Sequence, residues 1–363
     1  MEQKMNGLSR DFIIHPGETL NEILEDREMS QKELAIRSGV TEKHVSTIIN
    51  GTKPISVAYA KKLEYAIGID ASFWINLQSN YDKELLEFEE FNNISKEEIA
   101  ILKPLKIIIE YLNKINKINS EDNEAAKVLD LRKILGVSNL TSIPDITYNA
   151  AYRAQVATKA DVYVLFAWQK ICEILTEDIE VAEALDTDKL REKLLEIKRL
   201  MFAKANTIQK ELKKIFAECG IAFEIVRHFQ GAPVQGFIKR NEQGRTILCM
   251  TIRGGFADRF WFTLFHEIAH ILNGDAKLKF IDFDSIESEI EERANKFARN
   301  TLLSPIDYKR FLQKNDFSLR AISDFSEKQE VCTFIVIARL QKNNNLERGR
   351  YSSEIVTYKW ASE

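Results

Sequence analysis

The chain is poor in cysteine, in histidine and in long apolar runs, and each shortage narrows what it can be. Its four cysteines, Cys172, Cys219, Cys249 and Cys332, stand far apart with neither paired nor metal-ligand spacing, so they read as reduced core thiols and exclude a disulfide framework. No apolar stretch approaches membrane-spanning length and the N-terminus carries no secretory signal pattern, so the expectation is a cytoplasmic protein with no membrane partner. Tandem repeats and low-complexity segments are absent, which excludes repeat architectures. What remains is 363 residues with 45% hydrophobic content, enough to bury at least two cores.

Only five histidines occur, and two of them share one short stretch, Leu264-Phe-His266-Glu267-Ile-Ala-His270-Ile-Leu272. Four residues apart on a helix, His266 and His270 lie on one face and can grip a single Zn²⁺, with Glu267 beside the water that would react there. Leu264, Phe265, Ile268, Ala269, Ile271 and Leu272 surround them with packing surface, as a buried helix requires. About twenty residues on, Ala294, Phe297, Ala298, Thr301 and Leu302 recur at helical spacing up to Pro305. On that second helix Glu291 and Asn295 lie one turn apart, so the carboxylate can be the third ligand while the amide orients a ligating histidine from behind. Two histidines and one glutamate leave a fourth position open, at one zinc per chain. Glu289 and Glu292 fall on other faces and read as solvated charges.

These elements resemble the ImmA/IrrE family of zinc metallopeptidases from about Cys219 to Pro305: strands, then Phe-Thr-Leu-x-His-Glu-x-x-His, then Glu-x-x-Ala-Asn ending in Leu-Leu-x-Pro. The resemblance implies His266, His270 and Glu291 as ligands and Glu267 as general base. Ahead of the zinc helix, Ile221–Arg227, Val234–Lys239 and Arg245–Arg253 read as a small sheet, with turns at Gly231-Ala-Pro233 and Asn241–Gly244. The Arg245–Arg253 strand is the candidate edge on which an extended peptide could be held by backbone bonds. His228 and Arg253 could assist an oxyanion, although both read more simply as strand-end surface residues.

The N-terminal block is the other legible region. Ser30 with Glu33 opens a short helix, Gly39 permits a tight turn and Thr41 caps the next helix. In that helix Val45, Ile48 and Ile49 face inward while Lys43, His44, Ser46, Thr47 and Asn50 face outward, as a recognition helix in a major groove requires. Any small helical bundle shares part of this pattern, and charge bears on the choice. Residues 1–78 hold nine Lys/Arg against eleven Asp/Glu, but from Ser30 to Lys62 there are six basic residues and two acidic ones, so the positive charge is local. With Pro16-Gly17 at its start and Phe73-Trp-x-Asn-Leu-Gln78 at its end, the block resembles the Cro/C1-type domain of HigA antitoxins. That resemblance implies double-stranded DNA as a partner, at an inverted repeat in the gene's own promoter, bound by a homodimer. Lys43, His44 and Thr47 are then expected at base edges, Gln31, Asn50 and Lys53 at phosphates, and Ser46 on the same DNA-binding face.

Between these regions, Tyr81 to about Asn119 alternates charged and Ile/Leu-rich helical stretches, and Ser120-Glu-Asp-Asn-Glu124 reads as a solvated connection. Val128–Gly136 reads as a helix with a glycine stop, Thr141–Pro144 as a loop, and Ala150–Ala217 as mostly helix broken near Asp186. The Tyr152-Arg153 and Ala167-Trp168 pairs recur in longer HigA-like proteins that carry the peptidase domain, and their plainer reading is helix packing. Past Pro305, Ser318–Ser323 and Val331–Leu340 read as two helices packed on the zinc domain, and the tail from Tyr351 as a docked strand or a disordered end. The expected fold is therefore mainly α with a small β-sheet (α+β): a five-helix helix-turn-helix domain over 1–78, a helical connector over 79–126, and a zincin-like metallopeptidase domain over 127–363 with its core at 205–305. The expected function is a regulator or antitoxin that hydrolyses a peptide bond in a regulatory protein. The alternative is a non-catalytic repressor or antitoxin that binds its promoter and a toxin, with the zinc domain as sensor or scaffold.

Overall fold

The computed structural model describes residues 10–119, 123–148, 160–182, 184–240, 244–275, 280–283 and 289–360. Ser120–Asp122 of the expected polar connection and the Tyr152-Arg153 pair lie outside them. Among the described residues the fold is mostly helical with one small sheet. No helix there is long and apolar enough to cross a membrane. The chain divides into two compact units, one of Met1–Lys103 with Ile115–Lys133 and one of Pro104–Lys114 with Ile134–Glu363.

Five helices open the first unit: α1 (Pro16–Asp26), α2 (Gln31–Ser38), α3 (Glu42–Ile49), α4 (Val57–Ile67) and α5 (Ala71–Asn92). Local chemistry sets their ends. The Ser30, Thr41 and Ser56 hydroxyls accept the Glu33, His44 and Tyr59 amides at 3.1, 3.2 and 3.2 Å. Gly39 and Gly68 stop α2 and α4 in the left-handed region, at φ 63° and 69°. The Glu33 carboxylate, expected to help open α2 with Ser30, turns to Arg37 at 2.6 Å. Gly17 has a different reason to be glycine: a Cβ there would overlap the Ile48 carbonyl oxygen of α3, so its absence lets α1 touch the turn side of α3. Leu20, Leu34, Val45, Ile48, Leu63 and Trp74 form the core, and the buried Gln78 accepts the Ile55 amide at 2.8 Å. α5 runs unbroken across the boundary expected at residue 78.

Three helices follow in the chain: α6 (Lys96–Ile101), α7 (Lys106–Lys114) and α8 (Glu124–Leu135), the last stopped by Gly136 at φ 68°. Within the first unit, Glu98 is fully buried and takes Arg132 in a fork, Nε to Oε1 at 3.0 Å and Nη2 to Oε2 at 2.5 Å. That carboxylate holds the guanidinium above its ordinary pKa.

The second unit adds α9 (Ile143–Tyr148), which takes in Ile143 and Pro144 of the expected loop, then α10 (Val162–Glu177), α11 (Thr187–Arg199) and α12 (Ala205–Glu218). Strands β1 (Ile221–Ile225), β2 (Val234–Arg240), β3 (Thr246–Met250) and β4 (Phe280–Phe283) form one sheet in the order β1-β3-β2-β4. β1 runs parallel to β3 and the other pairs are antiparallel. The expectation that the Arg245–Arg253 strand lies at an edge is therefore wrong, because β3 is paired on both sides and buried along its whole length. Thr246-Ile-Leu-Cys-Met has no polar alternation, the pattern of a strand covered on both faces. β4, which no sequence signal marked, forms the edge beside β2.

Helices α13 (Ala257–Asn273) and α14 (Glu289–Leu302) follow, then α15 (Pro305–Lys314), α16 (Leu319–Lys328) and α17 (Thr333–Lys342). Adjacent residues of β2 show that α10 and α13 cover opposite sheet faces: the Phe237 ring meets Trp168 of α10 at 5.8 Å, while Gly236 backs onto Glu267 of α13. Phe216, Phe223, Leu248, Trp261, Phe265, Ile322, Phe325 and Val336 belong to one core, so the last helices pack on the α13 side of this unit. The tail is docked. Val356 accepts the Ala257 amide at 3.0 Å, one of the free donors at the start of α13, and the Trp261 indole donates to Tyr358 Oη at 2.9 Å.

Arg132→Ala would leave the Glu98 carboxylate buried without its fork. We expect a loss of about 3–5 kcal/mol in the first unit, read from urea dependence of amide exchange in α6 and α8; unchanged protection there would contradict the pairing.

Candidate metal centre and recognition helix

α13 is apolar almost all round, and from Thr263 to Leu272 every residue is buried. Against that background His266, Glu267 and His270 are 3%, 0% and 0% exposed. α14 packs closely on α13 because the residues between them are small: Ala294 and Ala298 are fully buried. This brings Glu291, with a side chain 12% exposed, to both histidines. Its Oε2 lies 3.0 Å from His266 Nε2 and its Oε1 3.6 Å from His270 Nε2, and the two Nε2 atoms are 3.0 Å apart. A tetrahedron with bonds of 2.0–2.1 Å has edges of roughly 3.3 Å, so this triangle of two imidazoles and one carboxylate has the size and donor chemistry for zinc. Among the described residues it is the one group of three or more such side chains with atoms within 4.8 Å of one another.

Asp275 completes the arrangement. It follows Gly274, which stops α13 in the left-handed region at φ 79°, and its Oδ2 lies 3.1 Å from His270 Nδ1. A proton on Nδ1 shared with Asp275 leaves the Nε2 lone pair facing Glu291 and His266, the tautomer a ligand needs. Burial pushes the His270 imidazole below its usual pKa, against the pull of Asp275, which favours the neutral ligating form. Arg293 holds the other Asp275 oxygen at 2.9 Å. Asp275 escaped the sequence reading, although an acidic residue just past the glycine stop of a histidine-bearing helix was the available signal. Asn295, expected behind a histidine, lines the cavity that His266 also lines and is half-buried.

Glu267 occupies the space that a side chain at Gly236 would fill, since a Cβ there would overlap its carboxylate. A cavity of about 890 Å³ opens beside the centre, lined by His266, Glu291, Thr263, Gln235 and Phe262 and reaching across α14 to α17. Thr263 Oγ1 donates to Gln235 Oε1 at 3.0 Å on its wall. Neither His228 nor Arg253 lines the cavity; His228 is half-buried, with burial the main cause of its lowered pKa, and Arg253 donates to the Pro233 carbonyl at 3.3 Å.

In the first unit, α2 and α3 meet in the helix-turn-helix arrangement expected. Val45 and Ile48 of α3 are buried and Ile49 only half so. Lys43, Asn50 and Lys53 are exposed, while Gln31, Ser46 and Thr47 are half-buried on the outer side. The His44 ring lies edge-on to Tyr59, 5.0 Å between centroids, so it is held more firmly than a surface residue. Asn50 Nδ2 donates to Ser46 Oγ at 3.2 Å and Thr47 Oγ1 to the His44 carbonyl at 2.8 Å.

Residues 20–74 match the helix-turn-helix family model, so this stretch is a helix-turn-helix domain. No curated protein matches the chain. Among solved structures, an addiction module antidote protein of a HigA family from Coxiella burnetii is 30% identical over 27% of this chain and 91% of its own, with a TM-score of 0.19. A putative antidote protein of a plasmid maintenance system from Nostoc punctiforme is 26% identical over 29% of this chain and 96% of its own, also at 0.19.

The ligand triangle generates a direct expectation. The purified chain should hold about one zinc, and His266→Ala and Glu291→Ala should each lower that content. Asp275→Ala should weaken zinc by about 10–100-fold in a chelator competition. Full retention in Glu291→Ala would remove that residue from the site.

Proposed function

We propose that the chain is a DNA-binding regulator of HigA type whose second unit is a zinc-dependent peptidase acting on a regulatory protein. The observation that carries the peptidase reading is the buried His266, His270 and Glu291 triangle beside an open cavity, with Glu267 seated next to it on α13. Zinc bound there would supply Lewis acidity to a peptide carbonyl and to water. Glu267 takes the proton of the attacking water and returns it to the leaving amine, so peptide and water become a carboxylic acid and an amine with no further reagent. Its burial keeps bulk water from exchanging that proton, and its seat against Gly236 fixes where the carboxylate points. Asp275 acts through His270 by setting its tautomer.

What supports the DNA reading is the helix-turn-helix match over residues 20–74 together with the local basic excess and the exposed Lys43, Asn50 and Lys53. One such unit reads a half-site, so a homodimer on an inverted repeat with half-sites about 34 Å apart is the expected form. Lys43 and Thr47 then read bases, and Lys53 meets a phosphate. The sequence resemblance to HigA antitoxins also supports a toxin as a protein partner.

Two experiments test these parts separately. Glu267→Gln keeps size but accepts no proton, so fold and zinc should persist while cleavage of candidate repressors or antitoxins falls about 10²-fold or more. Gly236→Ala should lower cleavage too, because the added methyl displaces Glu267. Equal output from wild type and Glu267→Gln would leave the zinc unit a sensor or scaffold. On DNA, Thr47→Ala or Lys43→Ala should change sequence preference, whereas Lys53→Ala should weaken all sequences alike and flatten the salt dependence by a slope of about one. Binding to the gene's own promoter no tighter than to random DNA at physiological salt would contradict this reading.

A further inference from the structure

The cavity beside the metal centre is charged oppositely to the chain as a whole. The protein carries 51 Lys and Arg against 55 Asp and Glu, yet Arg259, Arg299, Arg339, Lys342 and Arg348 line this one cavity with only Asp258 and Glu291 as acids. Glu291 belongs to the ligand triangle, and Glu292 outside the cavity pairs with Arg299. Aromatic faces hold three of the cations in place: Arg259 lies 5.0 Å from the Phe256 ring, Arg339 5.7 Å from Tyr308 and Lys342 5.2 Å from Phe262. Desolvation at the wall, with Arg339 and Arg299 as neighbours, pushes the Lys342 ammonium below its usual pKa, and desolvation does the same to Arg339. Like charges gathered in a partly desolvated cleft repel one another until an anion enters. Leu302, Leu303, Ile335 and Ala338 give the same cavity an apolar floor.

Position along the helices gives a distance. Arg259 precedes His266 by seven residues on α13, about 10 Å at 1.5 Å per residue, and Arg299 follows Glu291 by eight on α14, about 12 Å. An extended peptide advances about 3.3 Å per residue, so a side chain reaching these cations belongs to a residue about three positions from the bond at the metal. We infer that the cavity binds an acidic peptide segment, with an aspartate or glutamate about three residues from the reacting bond and an apolar residue between. This rests on the peptidase reading for the place of the bond, but not for the charge preference.

The test has two arms, both on the full-length chain. In the first, zinc-loaded protein is offered a decapeptide library, and cleavage products should carry Asp or Glu about three residues to one side of the cut, enriched tenfold or more over Lys and Arg. In the second, the Glu267→Gln chain is titrated with a fluorescein-labelled peptide bearing three aspartates and with its lysine counterpart, read by anisotropy. The acidic peptide should bind at least tenfold tighter; Lys342→Glu, at the exposed rim, should abolish that preference and Arg339→Gln should reduce it. Cleavage without charge preference would overturn the inference and leave the peptidase reading standing. Preferential acidic binding by a chain that cleaves nothing would support the inference and overturn the peptidase reading. Equal binding of the two peptides, or displacement of the acidic one by a single-stranded oligonucleotide at equal concentration, would overturn the inference.

Discussion

Burying ionisable groups in an apolar core is the constraint on which the second unit depends. His266, Glu267 and His270 sit on a helix among buried Trp261, Leu264, Phe265, Ile268 and Ile271, and Glu291 comes to them from the neighbouring helix. Taking carboxylates out of water is costly unless opposite charge is supplied, and a divalent ion bound by two imidazoles and a carboxylate supplies it where apolar packing cannot. The proposed zinc is thus as much a condition for this packing as a reagent. The alanines at 294 and 298 set the approach of the two helices, and Asp275 Oδ2, 3.1 Å from His270 Nδ1, favours a proton on that nitrogen.

The surrounding elements serve that placement. β2 presents Gly236 to Glu267 and Phe237 to Trp168, so one strand seats the Glu267 carboxylate on one face and anchors the supporting helix on the other. The C-terminal tail answers the first donor of α13 through Val356. In the first unit Gly17 plays a part like that of Gly236, allowing α1 to reach the backbone of the recognition helix. Close approach, rather than turn formation, is what both glycines permit.

Most of this was legible where chemistry is local. The His-Glu-x-x-His spacing, the caps at Ser30 and Thr41, the turn at Gly39 and the glycine stop at Gly136 all declare themselves within five residues, and the structure has them. What escaped depends on residues distant in sequence. Strand order is set by which strand pairs with which, so the interior place of β3 was misread as an edge although its unbroken apolar run pointed inward. Gly236 matters through a contact with Glu267 that only the fold creates, whereas Asp275, five residues after His270, is the local exception. The cations of the cavity come from α13, α14, α17 and the loop beyond, and in sequence each looks like a solvated charge.

X-ray absorption at the zinc edge of the purified chain decides whether a metal sits in the buried triangle. Zinc held by His266, His270 and Glu291 gives a first shell of nitrogen and oxygen at about 2.0–2.2 Å with the outer-shell signature of two imidazoles and no sulfur. Sulfur at about 2.3 Å, or a shell without imidazole, would place the metal elsewhere and leave the buried triangle without its counter-charge.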